Sequence, residues 1–251
     1  TDAGTAAQTL IVGFVIAGDA KPVLLRGIGP GLTTTFGLTG VLANPVITVY
    51  SGPTAIASDD DWGGTPALKN VFAQLGAFSL ADLSQDAALS ATLAASPYTM
   101  HVTGAGGIAL AEIYDADSAG AGRLSNVSAR AQVGTGDHVL IAGFVIAGAG
   151  GKRVLIRGIG PSLAAQGVTG VLVDPQLRIF SSSGQALGPN DDWDGTPALT
   201  AAFHTTGAFN LGEGSKDAAL LITLPAGVYT AHVAGAGGTT GVALVEIYDV
   251  K

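Results

Sequence analysis

Acidic residues cluster in a loop that occurs twice in the chain. One copy is Asn190-Asp191-Asp192-Trp193-Asp194 and the other is Ser58-Asp59-Asp60-Asp61-Trp62, and each continues into Thr-Pro-Ala-Leu. Adjacent carboxylates repel one another unless water or a cation stabilises them, and Ca²⁺ prefers oxygen ligands. We therefore predict a calcium site in each copy. The expected ligands are Asp60, Asp61 and Asp86, with Asp59 nearby, and Asp191, Asp192 and Asp217, with Asn190 nearby.

A simpler interpretation of the loop requires no metal. The spacing of an EF-hand is missing from both copies, and aspartates in turns often accept hydrogen bonds from nearby backbone N–H groups. Each tryptophan would then pack on the edge of its domain. A further alternative is that Trp62 and Trp193 form an aromatic platform for a polysaccharide.

The acidic loop belongs to a longer duplication. Gly13–Gly18 recurs as Gly143–Gly148, and Arg26–Pro30 recurs as Arg157–Pro161. The two tryptophans lie 131 positions apart, which is too long a period for a solenoid repeat, so we expect each copy to form a domain. The predicted domains are 1–116 and 123–251, joined by the flexible linker 117–122.

Short strands separated by glycine and proline dominate each copy. Tyr229, Ala231 and Val233 alternate with Thr230 and His232, a pattern typical of a half-buried strand. About seven such strands per copy predict an all-β fold of two tandem jelly-roll-like antiparallel β-sandwich domains. The strands expected in the second copy are 125–133, 138–147, 153–157, 176–181, 218–224, 228–234 and 242–248.

One short helix is expected in each copy, directly after the acidic loop. Pro66–Phe72 and Pro197–Phe203 begin with proline at the first helical position. Thr65 and Thr196 precede them as N-caps. The start of each helix would then face the carboxylates of the loop, which the helix dipole favours.

Matched basic and acidic residues predict an internal ion pair in each copy. Arg26 and Arg157 end apolar strands, and Glu112 and Glu246 share strand faces with apolar residues. A half-buried charge needs a partner, so we expect the pairs Arg26–Glu112 and Arg157–Glu246. The alternative role for each arginine is to anchor an anionic ligand. Lys21 and Lys152, which precede the same strands, are expected to be exposed to water.

The segment Gly27-Ile28-Gly29-Pro30-Gly31 is rich in glycine, as phosphate-binding loops are. It lacks the Lys-Ser/Thr ending of a P-loop, and Pro30 removes an N–H donor. We therefore expect a tight turn that leaves a strand.

The two copies differ at their first strand. The second copy begins with 123–130, which has the pattern of a strand, whereas the same offset in the first copy falls before residue 1. The first copy is therefore expected either to lack a strand, which leaves an unpaired sheet edge, or to take a strand from elsewhere. Such an edge can recruit another chain by strand addition.

Composition narrows the classes of function. The net charge of −8 argues against binding to a nucleic-acid backbone, and the apolar runs are too short for a helix to span a bilayer. No His pair has metal-ligand spacing and no Gly-x-Ser-x-Gly motif occurs, so we expect no enzyme activity. Charged residues are only 12% of the chain, which leaves a neutral surface suited to close self-association.

The second copy resembles the bacterial pre-peptidase C-terminal domain and related repeats of secreted bacterial surface proteins. The resemblance depends on the acidic loop, the segment Leu224–Thr230 and the closing glycine-rich strand, and it extends loosely over 44–115. It implies a jelly-roll-like sandwich, an extracellular or cell-surface location, and calcium at Asp191, Asp192 and Asp217.

Together these features predict a non-enzymatic extracellular structural protein whose partners are copies of itself. A filament or surface layer joined by strand addition is the expected assembly. The alternative function is a carbohydrate- or calcium-dependent binding module accessory to a secreted enzyme.

Overall fold

The structure, a computed structural model, describes all residues except 1, 5–8, 118–120, 137, 147–149 and 251. The chain divides into two compact units, Thr1–Ser125 and Asn126–Lys251. The boundary lies three residues inside the predicted second domain, which started at residue 123. Three of the six residues of the predicted linker 117–122 lie outside the described residues.

Unit 1 contains strands and two short helices in the following order. The elements are β1 (Asp2–Ala3), β2 (Leu10–Ala17), β3 (Lys21–Ile28), α1 (Pro30–Phe36), β4 (Val46–Ser51), β5 (Thr54–Asp59), α2 (Pro66–Leu75), β6 (Ala87–Leu93), β7 (Ser96–Thr103), β8 (Gly107–Ile108) and β9 (Leu110–Asp115).

Unit 2 repeats this order with longer terminal strands. The elements are β10 (Arg123–Val133, whose first three residues belong to unit 1), β11 (Leu140–Ile146), β12 (Lys152–Ile159), β13 (Pro175–Ser181), β14 (Ala186–Asn190), α3 (Pro197–Thr206), β15 (Ala218–Leu224), β16 (Gly227–Gly235) and β17 (Gly241–Val250). A 3₁₀ helix over Pro161–Gln166 takes the place of α1.

The eight strands of unit 2 pair in a nested, antiparallel order. The first strand pairs with the last, the second with the seventh, the third with the sixth and the fourth with the fifth. The result is two sheets of strand order β15-β12-β17-β10 and β11-β16-β13-β14. This nested pairing is that of a jelly roll, so the prediction of an all-β sandwich is confirmed.

Unit 1 has the same strand pairing, except that its first strand, β1, contains only two residues. β2 pairs with β7, β3 with β6 and β4 with β5, which gives sheets of order β2-β7-β4-β5 and β6-β3-β9. The short strand β1 places Asp2 opposite Ile108. In unit 2 the equivalent pair is Gln132 opposite Val242, at the end of β10. β1 is therefore the counterpart of only the last residues of β10.

Two features of the fold were not predicted. β14 was missed because Gly188 and Pro189 weaken a strand pattern, although proline is tolerated on edge strands. The glycine-rich turn after β3 leads into an additional helix, α1, beyond the predicted helices. Those two helices are present and extend three residues further, to Leu75 and Thr206.

Each helix next to an acidic loop covers one face of its sandwich. Thr65 Oγ1 accepts a hydrogen bond from Leu68 N at 3.3 Å, and Thr196 caps α3 in the same way. Phe203 on α3 is fully buried in a cluster that includes Leu155 and Tyr248. Among the described residues, no helix is long and apolar enough to cross a bilayer.

Candidate functional site

A buried ion pair lies beneath the helix in each unit. In unit 2, Arg157 Nε donates to Glu246 Oε2 at 2.9 Å and Nη1 donates to the carbonyl of Phe209 at 2.5 Å. Tyr248 donates its hydroxyl to the other oxygen of Glu246 at 2.9 Å. The guanidinium also lies 4.8 Å from the centre of the Phe203 ring. The carboxylate is thus shared between an arginine and a tyrosine.

Unit 1 repeats this arrangement. Arg26 Nε donates to Glu112 Oε2 at 2.7 Å, and Tyr114 donates to Glu112 Oε1 at 2.8 Å. Burial, followed by the charge of Glu112, raises the pKa of Tyr114, and burial and Glu246 do the same for Tyr248. Both hydroxyls therefore remain protonated donors. The arginine is held by protein groups, as the ion-pair hypothesis requires, and these contacts favour a structural role over the anchoring of an external anion.

Asp86 and Asp217 lie in the core and hold the glycine-rich turns. Asp86 is fully buried, and its Oδ1 accepts from Gly29 N at 2.8 Å while Oδ2 accepts from Gly31 N at 3.0 Å. A carboxylate bound by several backbone N–H groups is strongly stabilised. The turn that resembled a phosphate loop therefore binds an anion, but the anion is an aspartate of the same chain.

Asp217 repeats this role in unit 2 with more partners. Oδ1 accepts from Gly160 N at 2.8 Å, and Oδ2 accepts hydrogen bonds from the hydroxyls of Ser162 and Ser215. Close backbone contact explains the glycine at this turn, because a Cβ on Gly160 would lie 2.0 Å from the carbonyl oxygen of Leu172.

The acidic loops hold the remaining predicted metal ligands. Asp60, Asp61, Asp191 and Asp192 are exposed, whereas Asp86 and Asp217 lie in the core. Among the residues that the structure describes, no three His, Asp or Glu side chains come together in a group that could hold a metal ion. The predicted three-aspartate sets are therefore not assembled. Calcium binding by the exposed carboxylates alone stays a prediction.

Other partners occupy parts of the acidic loops. Asp59 Oδ2 accepts from Ala88 N at 2.8 Å, and Asn190 Oδ1 accepts from Ala219 N at the same distance. Burial raises the pKa of Asp59. In unit 2, Lys216 Nζ lies 3.0 Å from Asp192 Oδ2, and this hydrogen bond raises the pKa of Lys216. Hydrogen bonding to backbone N–H groups is what the metal-free interpretation of the loop expected.

The tryptophans pack against the helices. Trp62 is only 2% exposed, its ring centre lies 5.4 Å from that of Phe72, and Nε1 donates to the carbonyl of Ala81 at 3.0 Å. Trp193, which is half-buried, packs at a tilt against Phe203, and its Nε1 donates to the carbonyl of Gly212. The expectation that Trp62 forms an exposed ligand platform is therefore wrong, because its ring lies in the core.

β9 lies at the edge of its sheet among the described residues of unit 1. In unit 2, β10 pairs with β17 over eight residues, from Asn126 opposite Tyr248 to Val133 opposite Gly241. In unit 1, β9 ends its sheet, and no strand of the described residues pairs with its outer side. The side chain of Glu112 in unit 1 is 16% exposed, whereas that of Glu246 in unit 2 is 9% exposed.

A second open edge lies beside β11 in unit 2. The equivalent edge of unit 1, on β2, is hydrogen-bonded to the start of β10, where Ser125 Oγ donates to the carbonyl of Val15 at 3.5 Å. β11 ends its sheet among the described residues. Val145 is 67% exposed, whereas its counterpart Val15 is half-buried. The sequence predicted an unpaired edge in the first copy, but it did not predict the edge at β11.

No protein-family model and no curated protein matches the chain. Among solved structures, it is similar to the catalytic domain of a GH87 α-1,3-glucanase in complex with nigerose, at 15% identity and a TM-score of 0.25, covering 49% of this chain and 22% of that one. It is also similar to the major capsid protein P2 of bacteriophage PM2, at 11% identity and a TM-score of 0.24, covering 99% and 94% of the two chains. PNGF-II gives 11% identity and a TM-score of 0.25, with 99% and 58% covered. Scores this low carry no argument about function.

Proposed function

We propose that this protein is a non-enzymatic structural protein that self-associates outside the cell, as the subunit of a filament or surface layer. Exposed aliphatic side chains on two neighbouring strands are the observation that carries the proposal. Val145 on β11 lies opposite Val228 on β16, and these residues are 67% and 51% exposed. Only 12% of the residues in the chain are charged, so little charge repulsion opposes close contact between copies. Strand addition is the proposed mode of assembly.

The aliphatic surface continues along β11. Ile141, on the same face of the strand as Val145, is 44% exposed. The strand contains no charged residue and no proline, which are features that discourage pairing of one strand with another. A second copy that packs on β11 would cover these side chains.

The buried networks support a structural role rather than catalysis. Arg26 and Arg157 are fully buried and bound to glutamate and backbone carbonyl groups. Asp86 and Asp217 are fully buried and bound to backbone N–H groups. These charged groups therefore stabilise each sandwich.

Light scattering and negative-stain microscopy of the purified protein over a range of concentrations test the proposal. We expect oligomers whose mass grows with protein concentration. The variant Val145→Lys should reduce this growth, because a lysine at this exposed position can reach water in the free protein but would be buried by a second copy. Leu83→Lys is the matched control, since Leu83 is 97% exposed away from the strands. A wild-type protein that stays at 24.7 kDa at every concentration would refute the proposal.

A further inference from the structure

The outer sheet face of unit 1 carries a tyrosine hydroxyl that the fold does not use. The protein contains five tyrosines. Four of them donate their hydroxyls to groups of the same chain, and these are Tyr98, Tyr114, Tyr229 and Tyr248. The fifth, Tyr50 on β4, is half-buried, and its hydroxyl has no hydrogen-bond partner among the described residues. The ring and hydroxyl of Tyr50 are therefore available to a ligand at the surface.

A histidine and three hydroxyl side chains surround Tyr50 on this face. The ring centres of Tyr50 and His101 lie 4.6 Å apart, with 40° between the ring planes. In the β4–β7 ladder Thr99 lies opposite Tyr50, and His101 lies opposite Thr48. Thr48 in turn lies opposite Ser58 on β5, and their hydroxyl oxygens are 3.4 Å apart. Two aromatic rings and a row of hydroxyls thus share one surface.

This surface carries no lysine, arginine, aspartate or glutamate. Its outward residues on β4, β5 and β7 alternate with buried ones, and they are Val46, Thr48, Tyr50, Ser58, Pro97, Thr99, His101 and Thr103. The chain as a whole has a net charge of −8. An uncharged area in an acidic protein complements an uncharged ligand and attracts neither anions nor metal cations.

We propose that this face of unit 1 binds a neutral polysaccharide. The C–H groups of a sugar ring pack on an aromatic ring, as other apolar groups do. Sugar hydroxyls both donate and accept hydrogen bonds, which matches hydroxyl and imidazole side chains. The row Ser58, Thr48 and His101 crosses two inter-strand spacings, about 10 Å, and this length favours a polymer over a single sugar.

Unit 2 retains the aromatic pair but not the hydroxyls around it. Phe180 occupies the position of Tyr50, and its ring centre lies 4.7 Å from that of His232. Arg178 lies opposite His232, and Pro189 lies opposite Arg178, at the two positions that carry hydroxyls in unit 1. The same fold therefore forms without these polar groups, so packing alone does not require them. The proposed binding site is confined to unit 1.

Affinity gel electrophoresis tests the proposal with hydroxyethylcellulose, dextran and galactomannan as neutral probes and with alginate as the anionic control. We expect a neutral polysaccharide to retard the wild-type protein and alginate to have no effect. Tyr50→Ala should weaken binding about tenfold, because it removes the aromatic contact. Tyr50→Phe should weaken it about fivefold, since one hydrogen bond is lost. Phe180→Ala is the matched control and should bind as the wild type does.

The proposal is wrong if none of the neutral polysaccharides retards the protein, or if alginate retards it equally. It is also wrong if Phe180→Ala weakens binding while Tyr50→Phe does not. Melting curves show whether each variant is folded, and Tyr50→Phe, which keeps the ring, decides the matter if Tyr50→Ala unfolds. Val145→Lys should still bind the polysaccharide, so a failure of self-association and a failure of binding are separate results.

Discussion

Ser128 on β10 lies directly opposite Glu246 on β17, in the middle of an antiparallel ladder of eight residue pairs. The equivalent glutamate of unit 1, Glu112, binds its arginine and tyrosine in the same way and lies on a strand whose outer side is open among the described residues. The same network of arginine, glutamate and tyrosine therefore forms in both units.

The Arg157–Glu246 pair should contribute strongly to the stability of unit 2. Substituting Arg157→Met leaves Glu246 buried beside Tyr248 without its cation, and loss of one partner of a buried pair typically costs about 3–5 kcal/mol. Urea unfolding measures the change in a Trp62→Phe background, where Trp193 is the single tryptophan and its fluorescence reports on unit 2. The double variant Arg157→Met, Glu246→Leu should recover part of the loss, because no unpaired charge remains. An unchanged midpoint for the single variant would show that the pair adds no stability.

Asp217 should act as a structural acceptor and not as a calcium ligand. Asp217→Asn keeps the size of the side chain but weakens the bonds from Gly160, Ser162 and Ser215, and hydrogen bonds to charged groups contribute about 1.5–3 kcal/mol each. We expect a lower melting temperature with calcium and with chelator alike. A loss seen only in the presence of calcium would instead make Asp217 a ligand.

Calcium at the exposed carboxylates has a separate test. If Asp191 and Asp192 bind Ca²⁺, the melting temperature rises with calcium, because a ligand that binds only the folded state stabilises it. Asp192→Ala should shrink that rise. Lys216→Ala serves as a comparison, since Lys216 competes for the same carboxylate. A melting temperature that does not respond to calcium would contradict calcium binding by these carboxylates.

His232 should make stability depend on pH. Burial lowers the pKa of His232, so the unfolded chain binds a proton at a higher pH than the folded protein does. The stabilising contribution is complete above the unfolded pKa of about 6.5 and is lost as pH falls below it. Replacing His232 with Gln should flatten the fall in melting temperature between about pH 7 and pH 5. The exposed His204 provides the control, and an equal flattening by His204→Gln would contradict the assignment.

Periodicity and internal repetition were sufficient to predict most of the fold. The alternation around Tyr229 predicted a strand that β16 contains, and the Thr-Pro pairs correctly marked the starts of α2 and α3. β14 was not predicted, because its glycine and proline are typical of loops. A strand tolerates them only at the edge of a sheet, where β14 lies.

The site residues were harder to place, because long-range contacts decide their roles. Asp86 looks like a metal ligand in sequence, yet the turn after β3 places two backbone donors against it. Lys21 was expected to be exposed, but it is 2% exposed and lies 2.7 Å from Asp115, whereas Lys152 is 45% exposed as expected. The local sequence gives no information about the distance between residues that are far apart in the chain. The Arg–Glu pairing could be predicted from the sequence, because both partners recur at matched positions in the two copies.

Hydrogen–deuterium exchange across β11 tests self-association most directly. The backbone of Leu140–Ile146 should exchange more slowly after assembly than in dilute monomer, because a second copy covers it. β12 is the internal control, because β15 and β17 already flank it, and its exchange should not change. Assembly that leaves the exchange of β11 unaltered would contradict the account.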